Sequence, residues 1–384
     1  MMNVIVAGSD GYIGFPLCLR LLNKGFNVVG IDNGLRRKMV SELKSESATK
    51  IDSIENRITN LKNIGNFLFY DIDVAKDSEL LRDIIKKHKP DAIINLAHQP
   101  AAAYSMISRY HAELSLINNY LGTNNFLWFI REYVPDCHYI TIGTTGEYDH
   151  YSNIDIEEGY IFINHKGRMS KEMIYPRRCG SIYHGSKIAS TYLIDFCTRA
   201  WGLKCTDIMQ SIVYGVYTKE LEETKFNTRL DTDESFGTVL NRFIVQALMK
   251  VPLTVYGEGK HQRGFLALSD SIQALEIAID NPPNGGRVQV WNQLCEWKSM
   301  LYCANLVKKI LKEYNIDVRI NHIPSPRTEQ TNEHYYKYTT DILKSKGFKQ
   351  TRTMKEEIKF AIEKIDKNII SNLNHVVMPR IFWN

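Results

Sequence analysis

The sequence predicts an α/β protein built on a doubly wound parallel sheet, with a smaller C-terminal substrate-binding α/β region. Three observations predict it. Short, almost continuously apolar runs alternate with amphipathic stretches through the first 210 residues. A glycine-rich turn separates the first run from the first helical stretch. An acidic residue ends the second run. Alternation of this kind gives right-handed βαβ units, and strands buried on both faces read as unbroken apolar runs.

Each element follows in order. Strands are expected at residues 3–7, 27–32, 66–71, 92–97, 138–143 and 204–210. Helical patterns lie at 13–24, 77–88, 114–133 and 181–200. Residues 33–65 interrupt the rhythm with a polar insertion, either a surface excursion or a clamp leaving the carboxyl edge of the sheet. After residue 211 the pattern changes. A polar stretch at 218–234 precedes a helix at 235–250, a strand at 253–256 and further elements from 270 to 314. Residues 354–368 read as a polar amphipathic helix. The expected division is 1–210 for a cofactor-binding domain and 211–384 for a substrate region, some of whose segments return to the sheet.

The bulk numbers narrow the function class. With 384 residues, 44% hydrophobic and 24% charged, the chain is globular and long enough to bury a large core without metals or staples. Its seven cysteines are odd in number and form no CxxC, so neither a disulfide framework nor a metal site is expected. A net charge of +5 favours anionic ligands but is dispersed, which argues against nucleic-acid binding. No apolar run reaches spanning length, and the first strand begins at residue 3. A cytoplasmic chain without stable membrane insertion is the expectation.

Two motifs carry chemistry. Gly8, Gly11 and Gly14 lie between the first strand and its helix, where glycines let backbone N–H groups approach a pyrophosphate. Asp32 lies eighteen residues after Gly14, placed to accept ribose hydroxyls of NAD and repel the phosphate of NADP. This makes the sheet Rossmann-type and the cofactor NAD. Tyr12, Ile13 and Asn33 belong to the same two turns. Arg36 complicates the preference, because an arginine there can accept the extra phosphate; it is expected to stack on adenine or bridge the pyrophosphate. The second motif is Tyr183 and Lys187, four apart on one helical face. An ammonium beside a phenol favours the phenolate, a base for a sugar hydroxyl. Thr144, at the end of a strand, can bond the same substrate oxygen.

With these residues the chain resembles the extended short-chain dehydrogenase/reductase family. The resemblance implies an adenine contact from Asp71 and Ile72, active-site support from Asn119, and homodimerisation through the helices at 114–133 and 181–200. The loops around Thr254, Tyr256, Gln262 and Arg263, and around Arg327 and Glu329, would grip a nucleoside diphosphate, as paired arginines suit. Gln99, Gln210, Thr238 and Asn241 complete the expected substrate set.

Further strings resemble one group within it, the UDP-sulfoquinovose synthase family. They include Tyr104-Ser105-Met106-Ile107, Gly146-Glu147-Tyr148, residues 153–161, Tyr183-His184, Leu240-Asn241-Arg242-Phe243 and residues 333–336. That resemblance implies conversion of UDP-glucose and sulfite to UDP-sulfoquinovose. Oxidation at C4 acidifies the C5 proton, water leaves across C5 and C6, sulfite adds at C6, and C4 is reduced again. His184 would hold sulfite or handle a proton at C6; a packed helix histidine is the competing reading. Glu147 joins the catalytic set because Thr145 and Gly146, where 4,6-dehydratases carry an acid, cannot do acid–base elimination. The group's pattern carries arginine after the glutamine of the fourth-strand loop, whereas Gln99 is followed by Pro100. A 4-epimerase or 4,6-dehydratase is the alternative, and a non-catalytic NAD(H)-sensing or RNA-associated binding protein on this fold a third. A protein that delivers sulfite would be a further partner.

Overall fold

The computed structural model describes residues 2–148, 154–325 and 337–381. Seven parallel strands form the central sheet: β1 (Asn3–Ala7), β2 (Asn27–Asp32), β3 (Phe67–Asp71), β4 (Ala92–Asn95), β5 (His138–Thr144), β6 (Lys204–Gln210) and β7 (Gln289–Gln293). Their order is β7-β6-β5-β4-β1-β2-β3. The order reverses between β1 and β4, so the crevice for a dinucleotide opens beyond the carboxyl ends of those two strands. β7 comes from the C-terminal half and pairs with β6 from Thr206↔Gln289 to Gln210↔Gln293.

Helix Gly14–Asn23 buries Phe15, Leu17, Leu19 and Leu21 against one face of the sheet. The helix pattern at 114–133 resolves into Arg109–Leu116, a π-helical turn at Ile117–Leu121, and Gly122–Tyr133. Such turns concentrate at functional sites, and this one contains Asn119. The helix expected from 235 begins only at Val239. Asp233 explains the delay, because its Oδ1 accepts the N–H groups of Ser235 and Phe236, both at 2.9 Å, in a side-chain turn that competes with helix.

The C-terminal half has its own apolar core, with Phe243, Leu253, Phe265, Val307 and Ile358 at its centre. The insertion is a wall rather than a loose excursion. Ala48 is fully buried in that second core, donates to the Leu230 carbonyl at 2.8 Å and accepts from Asp366 at 2.9 Å. Helix Leu35–Glu42 packs Met39 and Val40 against Tyr104 and Phe236. No helix among the described residues is long and apolar enough to cross a membrane.

Candidate active site

A cavity of about 510 Å³ runs from the glycine turn to the C-terminal half. Its cofactor end is built from backbone. Gly8 has φ +84°, and a Cβ there would stand 2.7 Å from the Leu96 carbonyl carbon. Gly14 packs so closely on Gly8 that no side chain fits. The following helix has neither a side-chain cap nor an acidic residue in its first turn, which leaves its positive end open to an anion. This cradle fits the pyrophosphate of NAD.

Asp32 accepts the N–H groups of Asp10 and Gly34, both at 2.9 Å. Burial, and next the Asp10 carboxylate, push its carboxyl upward. Arg36 lines the cavity, but its guanidinium is engaged. It donates to Asp231 through Nε at 2.9 Å and Nη2 at 2.7 Å, and lies 3.8 Å over the Phe236 ring. Arg37 and the buried Arg57 both hold Asp10. Burial raises the Asp10 carboxyl, but the two guanidiniums together outweigh it. Ile72 and Asp73 line the cavity next to this end, whereas Asp71 is exposed and turned away from it. Of the two residues expected to contact adenine, Ile72 therefore faces the cavity and Asp71 does not.

At the reacting end Thr144, Tyr183, His184 and Lys187 face one space. β5 ends at Thr144, and helix Ile182–Trp201 begins at the Ser181 cap, which accepts the His184 N–H at 3.2 Å. Burial, and secondly Glu147, push the Tyr183 phenol upward, while a hydrogen bond with Thr144 pulls it down. Lys187 instead bonds Ile142 O and His98 Nδ1, each at 2.7 Å. Burial pulls it down to about 8.

Glu147 lies behind this face, fully buried. Its Oε1 accepts the Thr144 N–H at 3.0 Å, and its Oε2 is held by Arg177 and Thr191. It fixes Thr144 rather than reaching the cavity. Asn119 works similarly, joining Gln99 to Ser186 through bonds of 2.8 to 3.1 Å. Gln99 is fully buried and bonds Ala101 at both ends of its amide, so His98 and Pro100 face the cavity in its place.

On the substrate side Gln210, Thr238, Thr254, Tyr256 and Arg263 line the cavity. Asn241 instead braces the Gly215 N–H at 2.9 Å, and Gln262 is exposed at the edge. Arg327 and Glu329, with Asn153 and the string at 333–336, lie outside the described residues. Sequence reasoning passed over His98 and Arg242. His98 is one position from Gln99, on the loop at the strand-order reversal, where a polar side chain is a signal in itself. Arg242 is a helix arginine whose burial no local pattern reveals. Among the described residues no cluster of metal-ligating side chains occurs.

Residues 4–292 match the model of the NAD dependent epimerase/dehydratase family. The chain is 38% identical to the UDP-sulfoquinovose synthase of Sulfolobus acidocaldarius, over 100% of this chain and 98% of that one. It is also 38% identical to the chloroplastic UDP-sulfoquinovose synthase of Spinacia oleracea, over 99% of this chain and 79% of that one. Among solved structures, the UDP-glucose 4-epimerase of Thermotoga maritima with UDP-glucose superposes with a TM-score of 0.70 at 20% identity, covering 96% of this chain and 100% of that one. The chain belongs to the NAD-dependent epimerase/dehydratase family, is an enzyme, and takes NAD as its cofactor. Within that family it stands with the UDP-sulfoquinovose synthases, which it matches along its whole length.

Proposed function

We infer that the protein converts UDP-glucose and sulfite to UDP-sulfoquinovose. The observation that carries this is the pairing of full-length likeness to the synthases with Thr144, Tyr183, His184 and Lys187 facing one cavity. Bound NAD supplies a hydride acceptor for the sugar C4 and returns the hydride at the end. Tyr183 takes the C4 hydroxyl proton, and Thr144 orients the phenol. With a ketone at C4, the C5–H becomes acidic, water leaves across C5 and C6, and sulfite adds at C6. His184 serves that end of the sugar, holding the sulfite or moving the C6 proton. Arg263 and Arg242 serve the diphosphate, with Arg327 as a further candidate.

The physical logic is that a transient ketone activates an otherwise inert C–H bond. The test is a product assay by mass spectrometry with and without sulfite. A sulfonated nucleotide sugar that needs no added NAD turnover supports the reading. Unchanged mass or loss of water alone would point to an epimerase or a dehydratase.

The same reading makes the enzyme a cytoplasmic homodimer. Leu116, Tyr120, Trp128, Tyr192 and Phe196 leave an exposed apolar stripe on the helices around Gly122–Tyr133 and Ile182–Trp201. Monomeric proteins seldom expose such stripes. A protein that supplies sulfite would be a transient partner.

A further inference from the structure

Residues 154–176 serve neither the cofactor end of the cavity nor the sugar end. They lie between the turn after Thr144 and the tyrosine helix, and form a two-tiered hairpin. Its lower tier pairs Tyr160–Ile161 with Met173–Ile174. Its upper tier pairs Asn164–His165 with Arg168–Met169. Lys166 and Gly167 close the tip with positive φ, +51° and +79°. Two such residues make the tight turn whose twist matches its flanking strands.

The root of this hairpin is fixed. Tyr160 Oη donates to the Val288 carbonyl at 3.0 Å. Glu158 accepts the N–H groups of Asn292 at 2.7 Å and Ile342 at 3.0 Å. Arg287 lies 4.1 Å over the Tyr160 ring and pairs with Glu172. These ties hold the lower tier on β7, at the end of the central sheet, and leave the upper tier standing in solvent. Every residue from Phe162 to Met169 is exposed.

The tip carries the wrong side chains for water alone. Phe162 is 63% exposed and Met169 64%, with Ile163 exposed beside them. From Phe162 to Lys171 there are three cations, Lys166, Arg168 and Lys171, and no carboxylate. The next residue, Glu172, is engaged by Arg287. Exposed apolar groups gathered in this way mark a contact surface, and the cations call for an anionic one. Size then selects the partner. A specific protein interface takes about 800 Å² from each side, more than a narrow two-stranded tip presents by itself. A bilayer needs no matching contour: apolar side chains partition one by one, and each nearby cation adds attraction to anionic head groups.

We propose that this tip is a peripheral membrane contact, with Phe162, Ile163 and Met169 entering the head-group region of an anionic bilayer and Lys166, Arg168 and Lys171 meeting its phosphates. The seat is shallow and reversible, since three apolar side chains fall far short of a spanning helix. None of these six residues lines the cavity, so the enzyme turns over in solution and at the surface alike.

The test is co-sedimentation of the full chain with vesicles at low salt. Vesicles of phosphatidylcholine and phosphatidylglycerol in equal parts should carry the protein down. Phosphatidylcholine alone should bind it at least about tenfold more weakly, and added salt should release it. Phe162→Ser with Met169→Ser, and separately Arg168→Glu with Lys171→Glu, should each weaken binding at least about tenfold. Melting temperature, light-scattering mass and kcat without vesicles should stay those of the parent, because the altered side chains are exposed. A parent that remains in the supernatant overturns the proposal. So does full binding by either double variant. A tip variant whose mass in solution changes overturns it too, and gives the tip to a second copy of the chain. Sedimentation needs no turnover, so these outcomes stand apart from the reaction inferred above.

Discussion

Gly146 and His184 share one space: a Cβ added to Gly146 would collide with Nε2 of His184. The imidazole stands where the turn after Thr144 brings its backbone closest to the tyrosine helix. In the 4,6-dehydratase pattern an acidic side chain belongs on that turn. Here Gly146 carries no side chain and Glu147 is turned behind the face, and a histidine from the facing helix fills the gap.

Gly146→Ala should therefore expel the His184 ring without touching Tyr183 or Lys187. His184 Nδ1 bonds Ser181 Oγ at 3.0 Å, so displacing the ring disturbs that contact. We expect kcat for the sulfonated product to fall at least about tenfold while NAD content and fold are retained. NAD content by absorbance, and kcat by product mass spectrometry, check this together. Full activity in Gly146→Ala would remove His184 from the reaction.

Asp231 keeps Arg36 from acting as a phosphate receptor. Both bonds converge on Asp231 Oδ2, and the guanidinium lies over the Phe236 ring. Asp231→Asn leaves a neutral partner of the same shape and frees one charge beside the adenosine ribose. NADPH affinity should rise relative to NADH by roughly tenfold, as one charge-assisted bond is gained. Fluorescence titration of both cofactors measures the ratio, and an unchanged ratio would place the whole preference on Asp32.

The fold was legible because its signals are local. The glycine turn, Asp32 and the Tyr183–Lys187 spacing each declare themselves within about one helical turn or one strand. What stayed hidden depends on residues far apart in the chain. Asp231 meets Arg36 across 195 residues, and Lys187 meets His98 across 89. Glu147 reads as a free acid in sequence, because nothing local announces that Arg177 will cover it. Asp71 was misplaced for another reason: β3 ends at Asp71, so the side chains beyond it, not its own, turn over the crevice.

Glu357 should make stability depend on pH. It is fully buried, accepts the Val216 and Tyr217 N–H groups at 3.2 and 3.4 Å, and pairs with Arg352. Burial, the largest cause, raises it from 4.5 to about 7. Between those values the folded chain holds a proton that the unfolded chain has released. Stability thus falls as pH rises through this window and is level above it, by about 3 kcal/mol at most for one such group. Glu357→Gln cannot titrate, so its melting temperature should lose that slope between pH 4.5 and about 7. Parallel slopes for the two proteins would assign the pH dependence elsewhere.

Phe196 tests the assembly. It is 53% exposed on the same helix as Tyr183, with Tyr192 one turn before it at 46%. Phe196→Glu places a charge in the middle of the apolar stripe, which a two-fold interface would bury twice. Light scattering should report a monomer for the variant and a dimer for the parent. A parent that runs as a monomer would leave the stripe without the partner proposed for it.

Arg242 is the sharpest test of where the diphosphate lies. It lines the cavity, is 5% exposed and sits 5.8 Å from the centre of the Tyr256 ring. Its Nε has no hydrogen-bond partner among the described residues. Other buried arginines of this protein meet a carboxylate: Arg57 has Asp10, Arg177 has Glu147 and Arg229 has Asp231. A buried guanidinium without such a partner costs several kcal/mol unless an anion completes it. A nucleoside diphosphate is such an anion, and binding it would relieve the charge. Arg242→Met keeps the length and removes the charge. The variant should be at least as stable as the parent in thermal melts, because an uncompensated buried charge is gone. Its KM for the nucleotide sugar should rise about ten- to a hundredfold, with a smaller change in kcat, since the diphosphate is bound equally before and during reaction. A variant that melts lower and binds UDP-glucose unchanged would make Arg242 a packing residue and shift the diphosphate to Arg263.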